Sequence, residues 1–209
     1  MQAGLIWAGA LLLYAVFSLW YNNWRGPVTA PEIESFLARM QQISGIEPGQ
    51  LADMRAFLET DDGREFFMVN LMRLHPEPVP KPGTGELTPA RRVVEGYTKS
   101  FMPALFRHAG HPAFLGPAVG GYLEHWGVEK NPGWTAAGVI RYRSRRDMAE
   151  LATAPEFDDS HIFKIAAMSN TLAFPVSPAL LAGGPRIWLA LGLALLAALG
   201  NLALVSLRD

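Results

Sequence analysis

Two stretches of the sequence never leave the apolar register. From Met1 to Trp20 no side chain carries a charge and Gln2 is the only strongly polar residue; from Ile187 to Leu207 there is again no charge, with Arg186 before the run and Arg208-Asp209 after it. A helix needs about 20 apolar residues to cross a bilayer, so the pattern predicts transmembrane helices over 1–22 and 186–207. A cleaved signal is the rival for the first, but it wants a positive start and small residues at its end, whereas this run begins Met-Gln-Ala and ends in Leu19, Trp20 and Tyr21. A buried core helix is the rival for the second, and such helices seldom stay wholly apolar for that length.

Between the two runs the polar residues return with two periods. A helical linker region over 23–63 begins at Thr29, a cap that Glu32 can reach back to, and carries Ile33, Phe36, Leu37 and Met40 at helical spacing. Pro48 opens a second helix with Leu51, Met54, Phe57 and Leu58, closed by Asp61-Asp62-Gly63. Over 64–178 strands and helices then alternate. Glu65–Leu74 reads as a strand with Phe66, Met68, Asn70 and Met72 on one face and Phe67, Val69, Leu71 and Arg73 on the other. Both faces are largely apolar, so both need cover.

The Pro- and Gly-rich segment His75–Pro89 is a loop, and a helix follows with Val94, Tyr97, Phe101, Leu105 and His108 on one stripe, ending at Gly110. Strands are predicted over Ala113–Trp126 and Trp134–Tyr142, joined at Asn131-Pro132-Gly133. Ser144 to Asp147 has the form of a capping box; the helix behind it holds Met148 and Leu151, and Pro155 separates it from a second piece through His161, Ile162 and Ile165. Thr171–Val176 is the last strand. The order βαββαβ defines an α+β fold, a ferredoxin-like antiparallel sheet with helices on one face.

Charge and composition narrow the partners. With 18 basic and 19 acidic residues mixed along the chain there is no basic stripe for nucleic acid, and with no cysteine there is no disulfide, thiolate nucleophile or cysteine-held metal. Trp20, Tyr21, Trp24 and Trp188 form an aromatic belt where the spans meet the domain. Two spans put both termini on one side; Arg25 and Arg186 against Arg208 favour a cytoplasmic domain on a bacterial-type inner membrane. Ala190, Ala194 and Ala198 recur every fourth residue beside Gly192 and Gly200, and Gly4 and Ala8 repeat the spacing in the first span. Small residues at that interval let helices pack closely in lipid, so other integral membrane subunits are expected partners besides the bilayer itself.

The strand MVNLMRL, the helix with Tyr97 followed by His108-Ala109-Gly110, the phrase YRSRRDMAELATAPEF and the apolar last strand resemble the dimeric α+β barrel superfamily, in particular the domain of unknown function 1330 group, over roughly Arg64 to Pro178. That resemblance implies self-pairing, in which the open sheet face packs on the same face of a second copy. It also brings monooxygenases, haem-degrading enzymes and isomerases into view as wider relatives, with ligands held between sheet and helices. The two spans and the Pro-rich insertion after His75 depart from that pattern.

Candidate chemistry is thin. The five histidines show no one-face metal-binding pair, and no metal or cofactor is expected. Asn70 is a polar amide on an apolar face and needs a partner; with Tyr97 and His161 it makes the catalytic set of an enzyme alternative. Tyr97, Phe114, Tyr122, Trp126 and Trp134 are candidates for an aromatic ligand pocket, and core aromatics by the plainer account. Asp158 and Asp159 beside His161 suit acid–base work or, more simply, a helix N-terminus. The expectation is therefore an accessory or assembly subunit that docks on and stabilises a larger inner-membrane complex, photosynthetic or respiratory for example. The alternative is a membrane-tethered monooxygenase-like enzyme or binding protein for a hydrophobic small molecule.

Overall fold

A computed structural model describes residues 2–43 and 48–206, apart from the side chains of 2 and 156–158. The expectations placed on Leu207, Arg208, Asp209 and the Asp158 side chain lie outside the described residues. In chain order the elements are α1 (Gln2–Tyr21), α2 (Ala30–Met40), α3 (Pro48–Glu59), β1 (Phe66–Leu74), the two-residue strands β2 (Val79–Pro80) and β3 (Leu87–Thr88), α4 (Ala90–Arg107), β4 (His111–Pro117), β5 (Ala136–Tyr142), α5 (Arg145–Ala152), α6 (Pro155–Ala167), β6 (Met168–Val176) and α7 (Pro185–Ser206). They form two compact units, one of the residues up to Trp24 with those from Pro178, the other Arg25–Ser177.

In the first unit α1 lies along α7, and both are long and apolar enough to cross a membrane. Ala197 is buried, and a Cβ on Gly200 would stand 3.4 Å from Ile6, an ordinary van der Waals distance. Gly4 and Gly192 face open space, while Ala8, Ala194 and Ala198 are exposed and Ala190 is half-buried. Beside the helix feet the Arg186 guanidinium sits 4.8 Å from the Tyr21 ring and donates to Asn22 Oδ1 at 2.8 Å. Tyr21 stacks on Phe17 and is buried, whereas Trp20, Trp24 and Trp188 stay exposed.

The second unit is built on an antiparallel sheet of order β4-β5-β1-β6, with the first and third strands of the βαββαβ unit at its centre. This is the ferredoxin-like arrangement. Phe66 pairs with Tyr142 and Phe67 with Val176 at one end, and Pro117 with Ala136 at the other. β4 stops at Pro117, not at Trp126 as its residue pattern suggested. The physical reason is a proline without a ladder donor followed by a run of glycines, of which Gly127 and Gly133 adopt positive φ. Residues 118–135 therefore leave the sheet as a long loop at the end opposite both Ser177 and the Gly26-Pro27 segment held by α5.

The helix-facing side of the sheet carries the core. Phe66 stacks on Tyr142 at 5.3 Å, and Phe101, Leu105, Met148 and Leu151 close over them. α2 and α3 extend this core: Ile33, Phe36, Leu37 and Leu58 surround Ala149, and the Phe57 ring meets Phe66 edge-on at 5.1 Å. On the other face, paired through Val69 with Val139 and Phe174, the side chains of Phe114, Leu172 and Phe174 remain exposed.

Candidate functional site

Helix α4 lies on the sheet with Ala90, Val93, Tyr97, Phe101 and Ala104 inward, a three-to-four spacing that packs one face. α6 meets it at Gly96, where a Cβ would be 2.7 Å from the Phe163 ring, so only glycine permits this approach. Toward the C-terminal end of α4 the two helices part around α5 and leave a cleft of about 260 Å³. Phe101, Ala104, Leu151 and Ala154 give it apolar walls, Ser100 and the buried Ser160 contribute hydroxyls, and the Arg107 guanidinium and the His108 imidazole also line it.

His108 belongs to a second arrangement at the edge of this cleft. Its Nδ1 lies 3.4 Å from Asp147 Oδ1 and 3.7 Å from Glu150 Oε2. Three such ligand types could serve a metal, but the oxygens are already engaged. Asp147 accepts from Arg143 Nε at 2.9 Å and from the Ser144 hydroxyl, and Glu150 accepts from Arg25 at 3.0 Å. Burial by itself would raise the Asp147 carboxyl; the hydrogen bonds from Arg143 and Ser144 outweigh it and hold the group below its usual range. The donor set thus fits an ion-pair node better than a cation site.

One turn along α6 from Ser160, Lys164 places its Nζ 5.7 Å from the Tyr97 ring centroid. It has no carboxylate partner among the described residues, and burial lowers its pKa. Burial likewise pushes the Tyr97 phenol up, with Tyr142 adding to the effect. Lys164 was not singled out from the sequence. The available signal was its place at i, i+4, i+7 with Ser160 and Ala167, a stripe whose other members are buried.

The structure distributes the sequence-derived candidates over separate places. Asn70 is half-buried on the helix-facing side of β1, and its Nδ2 donates to the Met68 carbonyl at 2.9 Å. Tyr97 stacks on Phe101 at 5.0 Å, and His161 lies half-buried on α6. Tyr122 and Trp134 come together in the long loop, where the indole donates to the phenol oxygen at 3.1 Å, and His125 lies 5.8 Å from the Tyr122 ring. Trp126 is 76% exposed, and Phe114 lies on the exposed sheet face. The loop aromatics and Tyr97 thus belong to different parts of the domain, and no single aromatic pocket unites them among the described residues.

Among solved structures the chain is similar to a protein of unknown function from Rhodopseudomonas palustris, with a TM-score of 0.51 and 18% identity over 65% of this chain and 96% of that one. The methylated form of that protein aligns with a TM-score of 0.51 and 20% identity over 66% and 96%. A dimeric protein of unknown function and ferredoxin-like fold from Bacteroides fragilis aligns at 0.35, with 12% identity over 55% and 96%. No protein-family model matches the sequence, and no curated protein does. Strand order and the Rhodopseudomonas likeness define the class: an α+β domain of ferredoxin-like fold.

Proposed function

We propose that this chain is a membrane-tethered accessory subunit of a larger inner-membrane complex. In this proposal α1 and α7 cross the bilayer, the exposed face bearing Phe114, Leu172 and Phe174 pairs with a second copy, and the loop over 118–135 docks on a companion subunit. The observation that carries it is the loop. Val119, Leu123, Trp126 and Val128 are exposed together, while Gly121 packs near Asn131 and Tyr122 is tied to Trp134. A loop that presents several large apolar side chains to water marks an interaction site. This loop leaves the sheet at the end opposite Ser177 and the Gly26-Pro27 segment.

The exposed apolar surfaces of α1 and α7 support the tether, since a soluble core helix would bury them. The resemblance to the 1330 group supports the self-pairing. The test is isolation of the intact assembly from native membrane. A stoichiometric companion should co-purify with the native chain and with Leu87→Asp, an exposed control site outside the loop, and should be lost from Leu123→Asp/Trp126→Ala. Recovery of the native chain alone would overturn the proposal.

A second reading, a binding protein or monooxygenase-like enzyme for a hydrophobic small molecule, is favoured by the cleft between α4, α5 and α6. It requires Asn70→Ala, Tyr97→Phe or His161→Ala to abolish binding or turnover while leaving assembly intact.

A further inference from the structure

Helix α4 ends on Arg107 and is capped by His108, and both residues line the cleft. The imidazole is held from one side only. Nδ1 lies 3.4 Å from Asp147 Oδ1 and 3.7 Å from Glu150 Oε2, whereas Nε2 has no hydrogen-bond partner among the described residues. Asp147 is buried, and the hydrogen bonds from Arg143 and Ser144 keep it a carboxylate, an acceptor for the Nδ1 proton. With the proton on Nδ1, Nε2 is a bare acceptor. Asp147 and Glu150 do not line the cleft, so the ring edge they hold is not the edge His108 presents there.

Arg107 has neither an ion pair nor a hydrogen bond among the described residues. Arg141, Arg143, Arg145 and Arg146 are each matched with a carboxylate. The cleft thus offers one acceptor and one donor on consecutive residues, together with apolar walls from Phe101, Ala104 and Leu151. The Phe101 ring is stacked on Tyr97 at 5.0 Å, which fixes its orientation as part of the wall.

We infer that the cleft binds a small aromatic molecule carrying a hydroxyl group, which donates to His108 Nε2 and accepts from the Arg107 guanidinium while the ring lies against Phe101 and Leu151. A hydroxyl meets both needs with one oxygen, because it has a proton to give and lone pairs to receive one. An ether leaves Nε2 without a donor. A carboxylate does the same and adds a negative charge near Asp147 and Glu150. The volume of about 260 Å³ exceeds the roughly 150 Å³ that holds benzene in a protein interior, so one substituted ring fits. This inference rests on the reading of the cleft as a ligand site and adds to it the group the ligand must carry.

The experiment titrates the full chain in lipid nanodiscs with para-cresol, its methyl ether and para-toluate, read by ligand-observed NMR against empty nanodiscs. Para-cresol should bind about tenfold more tightly than the other two, the effect of leaving one acceptor unpaired. His108→Asn keeps an amide donor near Asp147 but has nothing at the Nε2 position, and should abolish the preference for phenol over ether. His108→Gln carries its amide out to that position and should retain part of it. Arg107→Met, a change at an exposed site, should weaken para-cresol several-fold whether or not the histidine variants fold. Ser100→Trp, also at an exposed site, fills the cleft and should weaken phenol and ether alike. Equal binding of phenol and ether, tighter binding of para-toluate, an unchanged preference in His108→Asn, or unchanged para-cresol affinity in Arg107→Met would overturn this inference while leaving the cleft a ligand site. Binding of none of the three, or affinities untouched by Ser100→Trp, would overturn the reading of the cleft as well.

Discussion

Arg143, Arg145 and Arg146 follow one another within four residues, yet each does a different job. Arg143 holds Asp147, while Arg145 reaches Asp61 and lies 4.4 Å from the Phe57 ring centroid. Arg146 is 3% exposed and donates to both Glu32 oxygens, at 2.8 and 3.1 Å, and to the Gly26 and Pro27 carbonyls at 2.9 and 2.6 Å. It thereby binds the entry of the domain to α5. Removing Arg146 leaves the half-buried Glu32 carboxylate and the Gly26 and Pro27 carbonyls without their donor, so Arg146→Met should lower the unfolding free energy by about 2 kcal/mol in urea titrations. The hydrogen bond from Arg146 takes Glu32 down from 4.5 to about 2. Its folded-state pKa is depressed, so the stabilisation is complete above 4.5 and disappears as pH falls through about 2. Across that window the native protein should lose on the order of 1 to 2 kcal/mol more than Glu32→Gln, after allowance for partial exposure. The spacing of Ser144 and Asp147 is legible as a helix start, and Ser144 Oγ does accept from the Asp147 N–H at 3.1 Å. Which arginine turns inward is not legible, because Glu32 lies more than a hundred residues away in the chain.

At the scale of the element, propensity and pattern served the strands and helices that pack locally and failed where a distant neighbour decides. β1 has both faces apolar, and the structure covers one with helices while Phe114, Leu172 and Phe174 lie exposed across the other. The stretch after Pro117 is rich in aromatics and reads as strand, but its glycines release it into a loop. α6 reads as an apolar helix because of Ile162 and Ile165, and it is those residues that face outward. Its orientation is imposed by Gly96, which admits the Phe163 ring. Gly96→Val should therefore destabilise the domain by about 2 kcal/mol through overpacking, measurable by thermal unfolding. In α7 the Asn201 carbonyl oxygen is buried without a hydrogen-bond partner among the described residues. Asn201→Leu should stabilise the pairing of α1 with α7, by about 1 kcal/mol in a detergent unfolding titration, since it removes an unmet acceptor.

For the molecule as a whole the decisive property is the division between an apolar helix pair and an α+β domain. If the pair resides in lipid, the full chain stays in the membrane pellet through an alkaline wash, and a fragment of 25–177 appears in the supernatant. Release of the full chain would remove the tether and the docking proposal with it. The amino-acid order alone settled what depends on neighbours along the chain: two uncharged runs long enough to span, the βαββαβ succession, the cap at Ser144 and the absence of cysteine chemistry. Contacts that close only on folding determined the rest. The pairing of Arg146 with Glu32, the cleft beside Ser160, the approach of Lys164 to the Tyr97 ring and the separation of Tyr97 from the loop aromatics arise from segments far apart in sequence. Periodicity states which residues share a face; it does not state what that face will meet, because the energy of burial is set by the partner surface and not by the helix or strand that offers it.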